Sequence, residues 1–167
     1  KLMDWAEAAE LPVLCSCLAT HAVLQWRHGQ HRRPIQPKVW GVYDHDAVVG
    51  GHRLLRGLPA SVPVPHSRHN EVTAAQFAAA GYDGLLSCAT GGAHLAVERD
   101  KGRWLLLQGH PEYQTVSLLK EYKREVKHWQ AGARQEYPVQ PERYLNPAAM
   151  GILDDHREVC LDRKSVV

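Results

Sequence analysis

Short apolar runs broken by turn residues dominate the first two thirds of the chain, and one long amphipathic stripe follows them. Lys1 to Glu10 reads as a helix, leading into the strand-length run Leu11 to Ser16. Cys17 to Leu24 has helix-forming composition that ends near Gly29. The pattern therefore predicts a strand, a sharp turn and a helix, with Cys17 at the joint. The Pro-containing, basic stretch His28 to Pro37 reads as a loop, and Val39 to Tyr43 as a short strand. Repeated Gly and Pro from Gly50 to Pro65 favour extended or irregular backbone. Ala74 to Ala80 reads as a short helix; Gly84 to Cys88, His94 to Val97 and Trp104 to Leu107 read as strands, the last broken by Gly109-His110-Pro111-Glu112. Thr115 to Trp129 sets Leu118, Leu119, Tyr122, Val126 and Trp129 on one helical stripe. A Pro-containing link, Tyr137 to Pro147, precedes a last helix from Ala148 to Arg163.

Composition narrows the class. A chain of 167 residues with a net charge of +2 is long enough for one α/β core and carries no basic block that would call for nucleic acid. No apolar stretch approaches the roughly 20 residues of a membrane helix, so no membrane partner is expected. Four cysteines, two of them in Cys15-Ser16-Cys17, do not form a secreted disulfide pattern and suggest a reducing, cytoplasmic setting. The sequence opens at Lys1 without an initiator Met and enters a helix at once, as expected of a chain met mid-domain with earlier strands absent.

Candidate chemistry centres on two places. A thiol at a strand-to-helix joint lies at the positive end of the helix peptide dipoles, where thiolate is favoured, and this is the layout of a nucleophile elbow. The other reading makes Cys15 and Cys17 small buried residues, because free Cys is among the most buried types. His110, at the C-terminal end of a strand, with Glu112 two residues on, could supply the base and orienting carboxylate that a thiol nucleophile needs. Spacing alone does not bring these groups together. His66 and His69 invite a metal reading, but neither a Cys-x-x-Cys nor a His-Glu-x-x-His is present, so no metal is expected.

Four segments carry a resemblance: Ser16-Cys17-Leu18-Ala19-Thr20-His21-Ala22, Pro65-His66-Ser67-Arg68, Gly109-His110-Pro111-Glu112-Tyr113 and Glu121-Tyr122-Lys123-Arg124. In this order and spacing, over roughly Lys1 to Trp129, the chain resembles the homoserine O-acyltransferase (O-succinyltransferase) family. The resemblance implies a class I glutamine-amidotransferase-like, flavodoxin-like α/β fold, a parallel sheet flanked by helices, here without its N-terminal portion. It implies a partial acyltransferase domain over residues 1–132, followed by a link and helical tail over 133–167. It also implies ping-pong transfer from succinyl- or acetyl-CoA to the hydroxyl of L-homoserine, in methionine biosynthesis. Cys17 would carry the acyl group, His110 would accept protons and Glu112 would orient it, while Lys38, Ser67 and Arg124 would bind substrate. Acyl-CoA serves as co-substrate, no resident cofactor is expected, and a homodimer is a candidate assembly. Leu18 and His21 stand where better-known members have Trp and Gln, marking a divergent branch. Two rivals stay open: a glutaminase-type amidotransferase domain, which usually flanks its Cys with glycine, and an inactive binding module.

Overall fold

The computed structural model describes residues 1–165. Two compact units divide the chain at Gln114/Thr115. In the first, helix α1 (Leu2–Ala8) leads to strand β1 (Val13–Ser16), then helix α2 (Leu18–His28) and the long strand β2 (Arg33–Ala47). After a 3₁₀ turn at Arg53–Leu55 come β3 (Ser61–Glu71), helix α3 (Ala74–Ala79), β4 (Tyr82–Cys88), β5 (Gly92–Glu98) and β6 (Trp104–Leu107). The six strands form one sheet in the order β1-β6-β5-β4-β2-β3.

The sheet is mixed, which corrects the expectation of a parallel one. Only β1 and β6 run parallel, with Ser16 beside Leu107, while the other four pairings are antiparallel. The reason lies in the connections. Parallel neighbours need a crossover of a dozen or more residues, whereas β4 to β5 and β5 to β6 turn back through only a few.

Two stretches form more strand than their composition predicts. The basic segment read as a loop over His28 to Pro37 supplies the start of β2, and the Gly50 to Pro65 region, read as extended or irregular, ends inside β3. Proline is compatible with β3 because β3 lies at the sheet edge, where a missing N–H forfeits no inner ladder bond. A register shift between Pro34 and Val39 absorbs the prolines of β2.

One apolar cluster gathers Val23 and Leu24 of α2 and Phe77 of α3 against Cys15, Tyr82, Ala96, Trp104 and Leu106 of the strands. A second joins Leu85, Leu86, Leu95, Val97 and Leu107. Arg27 ties α1 and α2 to this frame: its guanidinium pairs with Glu7 and Glu98 at 3.2 Å each and lies over the Trp104 ring. Helix α2 ends as predicted, at Gly29 in the left-handed conformation. Helix α3 starts on a reciprocal Thr73/Gln76 cap.

The second unit contains helix α4 (Ser117–Gln130), whose buried residues Leu118, Tyr122 and Trp129 come from the predicted stripe, and helix α5 (Pro147–Ser165). Trp129 packs edge-on against Tyr137 at 4.9 Å. No helix among the described residues is long and apolar enough to cross a membrane.

Candidate active site

Cys17 is the single residue between β1 and α2, and its backbone is held at φ 47, ψ −108. Few non-glycine residues adopt such a positive φ, and those that do cluster at functional turns. The turn is pinned from both sides. Cys17 N–H donates to the Leu107 carbonyl at 2.8 Å, and its own carbonyl accepts the His21 N–H at 3.3 Å. The buried Thr20 hydroxyl accepts the Leu107 N–H and lies 2.7 Å from the Leu107 carbonyl and 3.0 Å from that of Cys15, locking the ends of β1 and β6 together. The two cysteines of the Cys15-Ser16-Cys17 run thus separate. Cys15 is 6% exposed in the apolar core, where burial pushes its thiol pKa up, whereas Cys17 is only partly buried at the sheet edge.

At the end of β6, beside β1, the loop bearing His110 and Glu112 meets this elbow. The His110 ring lies beside the Cys17 thiol, close enough for the thiol to act on its pKa, and its Nδ1 lies 2.7 Å from Glu112 Oε1. With Nδ1–H donating to the carboxylate, Nε2 is left for the thiol. Burial alone would pull the His110 pKa down, but the Cys17 thiol and the Glu112 carboxylate outweigh it and hold the pKa above the ordinary value. Partial burial would likewise lift the Glu112 carboxyl, yet hydrogen bonds from His110, from its own backbone and from Ser16 bring it below the usual range. The Tyr113 ring stacks on His110 at 4.1 Å between centroids.

Ser16 is a participant that residue reading did not find. Its hydroxyl lies 3.0 Å from Glu112 Oε2 and 3.1 Å from the Gly109 carbonyl, so it can donate to the carboxylate oxygen that His110 does not use. A serine at the end of a strand carries no local signal for this role; only the neighbouring Cys17 would have drawn attention to it.

Lys38 and Ser67 lie on the β2–β3 ribbon. Ser67 is in register with Trp40, and the Lys38 ammonium sits 4.1 Å from the centre of the Trp40 ring, so the two candidate residues share one face. The opposite face of β3 carries the buried His66 and Arg68. The Pro65 carbonyl, two residues before Ser67, accepts the His110 N–H at 2.8 Å and so fastens the ribbon to the His110 loop. Arg124 belongs to the second unit, on α4, with a 60% exposed side chain 3.9 Å from Glu125. Among the described residues no group of three or more His, Cys, Asp and Glu could hold a metal ion.

A thiol on a strained elbow, a histidine beside it and a carboxylate behind the histidine are the parts of a nucleophile with its base and orienter. The family model of homoserine O-succinyltransferase matches residues 1–154. The chain belongs to the homoserine O-succinyltransferase family. The match runs past Trp129, beyond the stretch that carries the quoted motifs. Over 158 residues the chain is 49% identical to the homoserine O-succinyltransferase of Nitrosococcus oceani, covering 95% of this chain and 44% of that protein. It is 47% identical over the same length to that of Allochromatium vinosum, with the same coverage. The chain thus spans less than half the length of these relatives. Among solved structures it is similar to a glutamine amidotransferase of Thermotoga maritima, with a TM-score of 0.59 and 16% identity over 77% of this chain and 54% of that one. It is also similar to SMU.1228c, with a TM-score of 0.62 and 14% identity over 97% and 67%. The α/β fold of this family member is therefore the class I glutamine-amidotransferase-like fold.

Proposed function

We propose that this chain carries the reacting groups for acyl transfer from an acyl-CoA to the hydroxyl of L-homoserine, a step of methionine biosynthesis, with Cys17, His110 and Glu112 as the catalytic residues. The reading rests above all on Cys17, an elbow thiol beside a histidine that is itself bonded to a carboxylate. Membership of the family supplies the substrate class.

In the first half-reaction the Cys17 sulfur, its proton passed to His110, attacks the thioester carbonyl carbon. The tetrahedral oxyanion collapses, CoA leaves as a thiol carrying the proton from His110, and the acyl group stays on Cys17 as a new thioester. Cys17 N–H is already given to Leu107, so the Leu18 N–H, next along and at the start of α2, is the assigned oxyanion donor. In the second half-reaction His110 removes the proton of the homoserine hydroxyl as its oxygen attacks the acyl-Cys17 carbonyl. O-acylhomoserine is released and the Cys17 thiol is restored. Glu112, steadied by Ser16, stabilises the imidazolium that forms twice per cycle. Lys38 and Ser67, on the β2–β3 ribbon, are assigned to the amino acid: an ammonium suits its carboxylate, and a hydroxyl can donate or accept. Arg124, in the second unit, carries a guanidinium that also suits a carboxylate. No resident cofactor enters these steps. Four free cysteines suit a reducing, cytoplasmic compartment.

The test uses the complete polypeptide that carries these residues, incubated with succinyl-CoA or acetyl-CoA, with and without L-homoserine. O-acylhomoserine formation with one of the two donors is the expected result. Release of ammonia from glutamine without acyl transfer would replace this reading with an amidotransferase.

A further inference from the structure

Three histidines from three different strands meet behind the site, and the acyl-transfer steps use none of them. His45 of β2, His66 of β3 and His94 of β5 are all buried, with ring centroids 5.0 to 5.7 Å apart. The buried Arg68 guanidinium closes the cluster: its Nε donates to His66 Nδ1 at 3.4 Å, and its terminal nitrogens donate to the carbonyls of Asn70 and Gly91 at 3.0 and 2.6 Å. His45 Nδ1–H donates to the Tyr43 carbonyl at 2.9 Å, and its Nε2 faces the Cys88 sulfur at 3.5 Å. A second positive charge among these rings would face a guanidinium with little water to screen it, so the rings stay neutral. Burial first, then the unfavourable encounter with a charged His45, Arg68 or His110 that a protonated ring would face, brings the His94 pKa down to about 3.

His94 reaches the active site through one bond. Its Nδ1 accepts the Gly109 N–H at 3.0 Å. Gly109 immediately precedes His110, and its carbonyl lies within reach of Ser16. The neighbouring attachments are already fixed. The Gln108 side chain is anchored to the backbone of Val72 and Ala93, and His110 N–H is anchored to Pro65. The Gly109 peptide is also tightly enclosed: a Cβ there would lie 2.4 Å from Val64 Cγ1 and 3.0 Å from both His66 Nε2 and His94 Nδ1. Only a lone pair can face that N–H, and a protonated His94 would present a second donor to it.

We propose that His94 is a positioning residue for the catalytic pair: by accepting the Gly109 N–H, its neutral imidazole sets the loop that holds His110 against Cys17. The cluster of His45, His66 and Arg68 keeps it in the accepting form. The proposal rests on the Cys17–His110–Glu112 reading, but alkylation of Cys17 tests it without any acyl donor. The rate of Cys17 carbamidomethylation by iodoacetamide is followed by peptide mass from pH 5 to 9 in the complete polypeptide, alongside its thermal melt. Three variants are compared: His94→Leu, which removes the acceptor; His94→Asn, whose amide oxygen can take the place of Nδ1; and His94→Gln, whose oxygen falls one bond further out.

The expected result is a neutral-pH rate reduced about tenfold in His94→Leu and His94→Gln, with the pH profile moved toward that of an unassisted thiol, and restored to within about threefold in His94→Asn. Equal profiles for wild type and His94→Gln, or equal impairment of His94→Asn and His94→Gln, overturn the proposal, and this comparison stands even if His94→Leu does not fold. If acyl-CoA leaves no adduct on the wild type while the alkylation profiles still separate as stated, the acyl-transfer reading fails and the positioning role of His94 survives.

Discussion

His110 and His94 are connected through a single residue, Gly109, yet their surroundings drive their ring pKa values in opposite directions. His110 sits at the rim with a thiol beside it and a carboxylate on Nδ1, and these neighbours raise its pKa against the pull of burial. His94 and His66 are enclosed by other imidazoles and a guanidinium, with burial the largest influence, and fall to about 3 and about 2. The same side chain thus serves as a proton carrier in one place and as a fixed hydrogen-bond acceptor in the other. Partners decide the role, not depth alone.

The comparison can be broken most severely at the rim. His110→Ala should lower the acyl-transfer kcat/KM about 10⁴-fold, since both half-reactions lose their proton carrier. Glu112→Gln should lower it about 10²-fold, because an amide neither fixes the imidazole proton nor stabilises imidazolium, and the apparent pKa of His110 in the rate profile should fall. The half-exposed position of Glu112 makes this the smaller of the two effects. Gly109→Ala attacks the junction between the two regions: its Cβ meets Val64 and both buried rings, so a rate loss of about tenfold and roughly 1 to 3 kcal/mol of destabilisation are expected.

Mild acid separates the regions by sign. His66 and His94 stay neutral in the folded state while their unfolded counterparts take up protons below about pH 6.5, so stability falls as pH drops through that value. Between pH 6.5 and 5 each should lose about 2 kcal/mol, readable from urea midpoints. His110, whose folded pKa is raised, acts the other way: its contribution is complete below the ordinary histidine value and is lost as pH rises through the folded value. His66→Gln should therefore flatten the acid limb, and His110→Ala should leave it standing. The smallest effect on chemistry should come from Arg27→Met, which removes the ion pairs to Glu7 and Glu98 in the frame. A stability loss of about 2 kcal/mol, with an unchanged pH profile of turnover per folded molecule, is expected.

The rim was far more legible in the sequence than the interior. The Cys17 joint could be read because an apolar strand run gives way at once to helix composition, and the His110 break because glycine and proline end a strand abruptly. The motif order then joined the two halves, which spacing could not do. The β2–β3 ribbon was legible only in part: Val39 to Tyr43 reads as strand, but the prolines and basic residues around it look like loop, and only edge position and a register shift make them compatible with strand. The histidine cluster was hidden for another reason. His45, His66 and His94 lie on three strands that are not all neighbours in sequence, and nothing local distinguishes a buried imidazole from an exposed one. His66 read as half of a metal pair with His69, but His66 is wholly buried whereas His69 is exposed. Ser16 shows the same limit at closer range, since its bond to Glu112 depends on a loop 96 residues away.

The central claim is that Cys17 carries the acyl group, and peptide mass spectrometry of the complete polypeptide after brief exposure to succinyl-CoA or to acetyl-CoA, without homoserine, addresses it most directly. One acyl group is expected on Cys17 from one of the two donors, kept in Cys15→Ala, lost in Cys17→Ala, and discharged when L-homoserine is added. A protein that forms O-acylhomoserine with no adduct on Cys17, or whose adduct persists in Cys17→Ala, would contradict it.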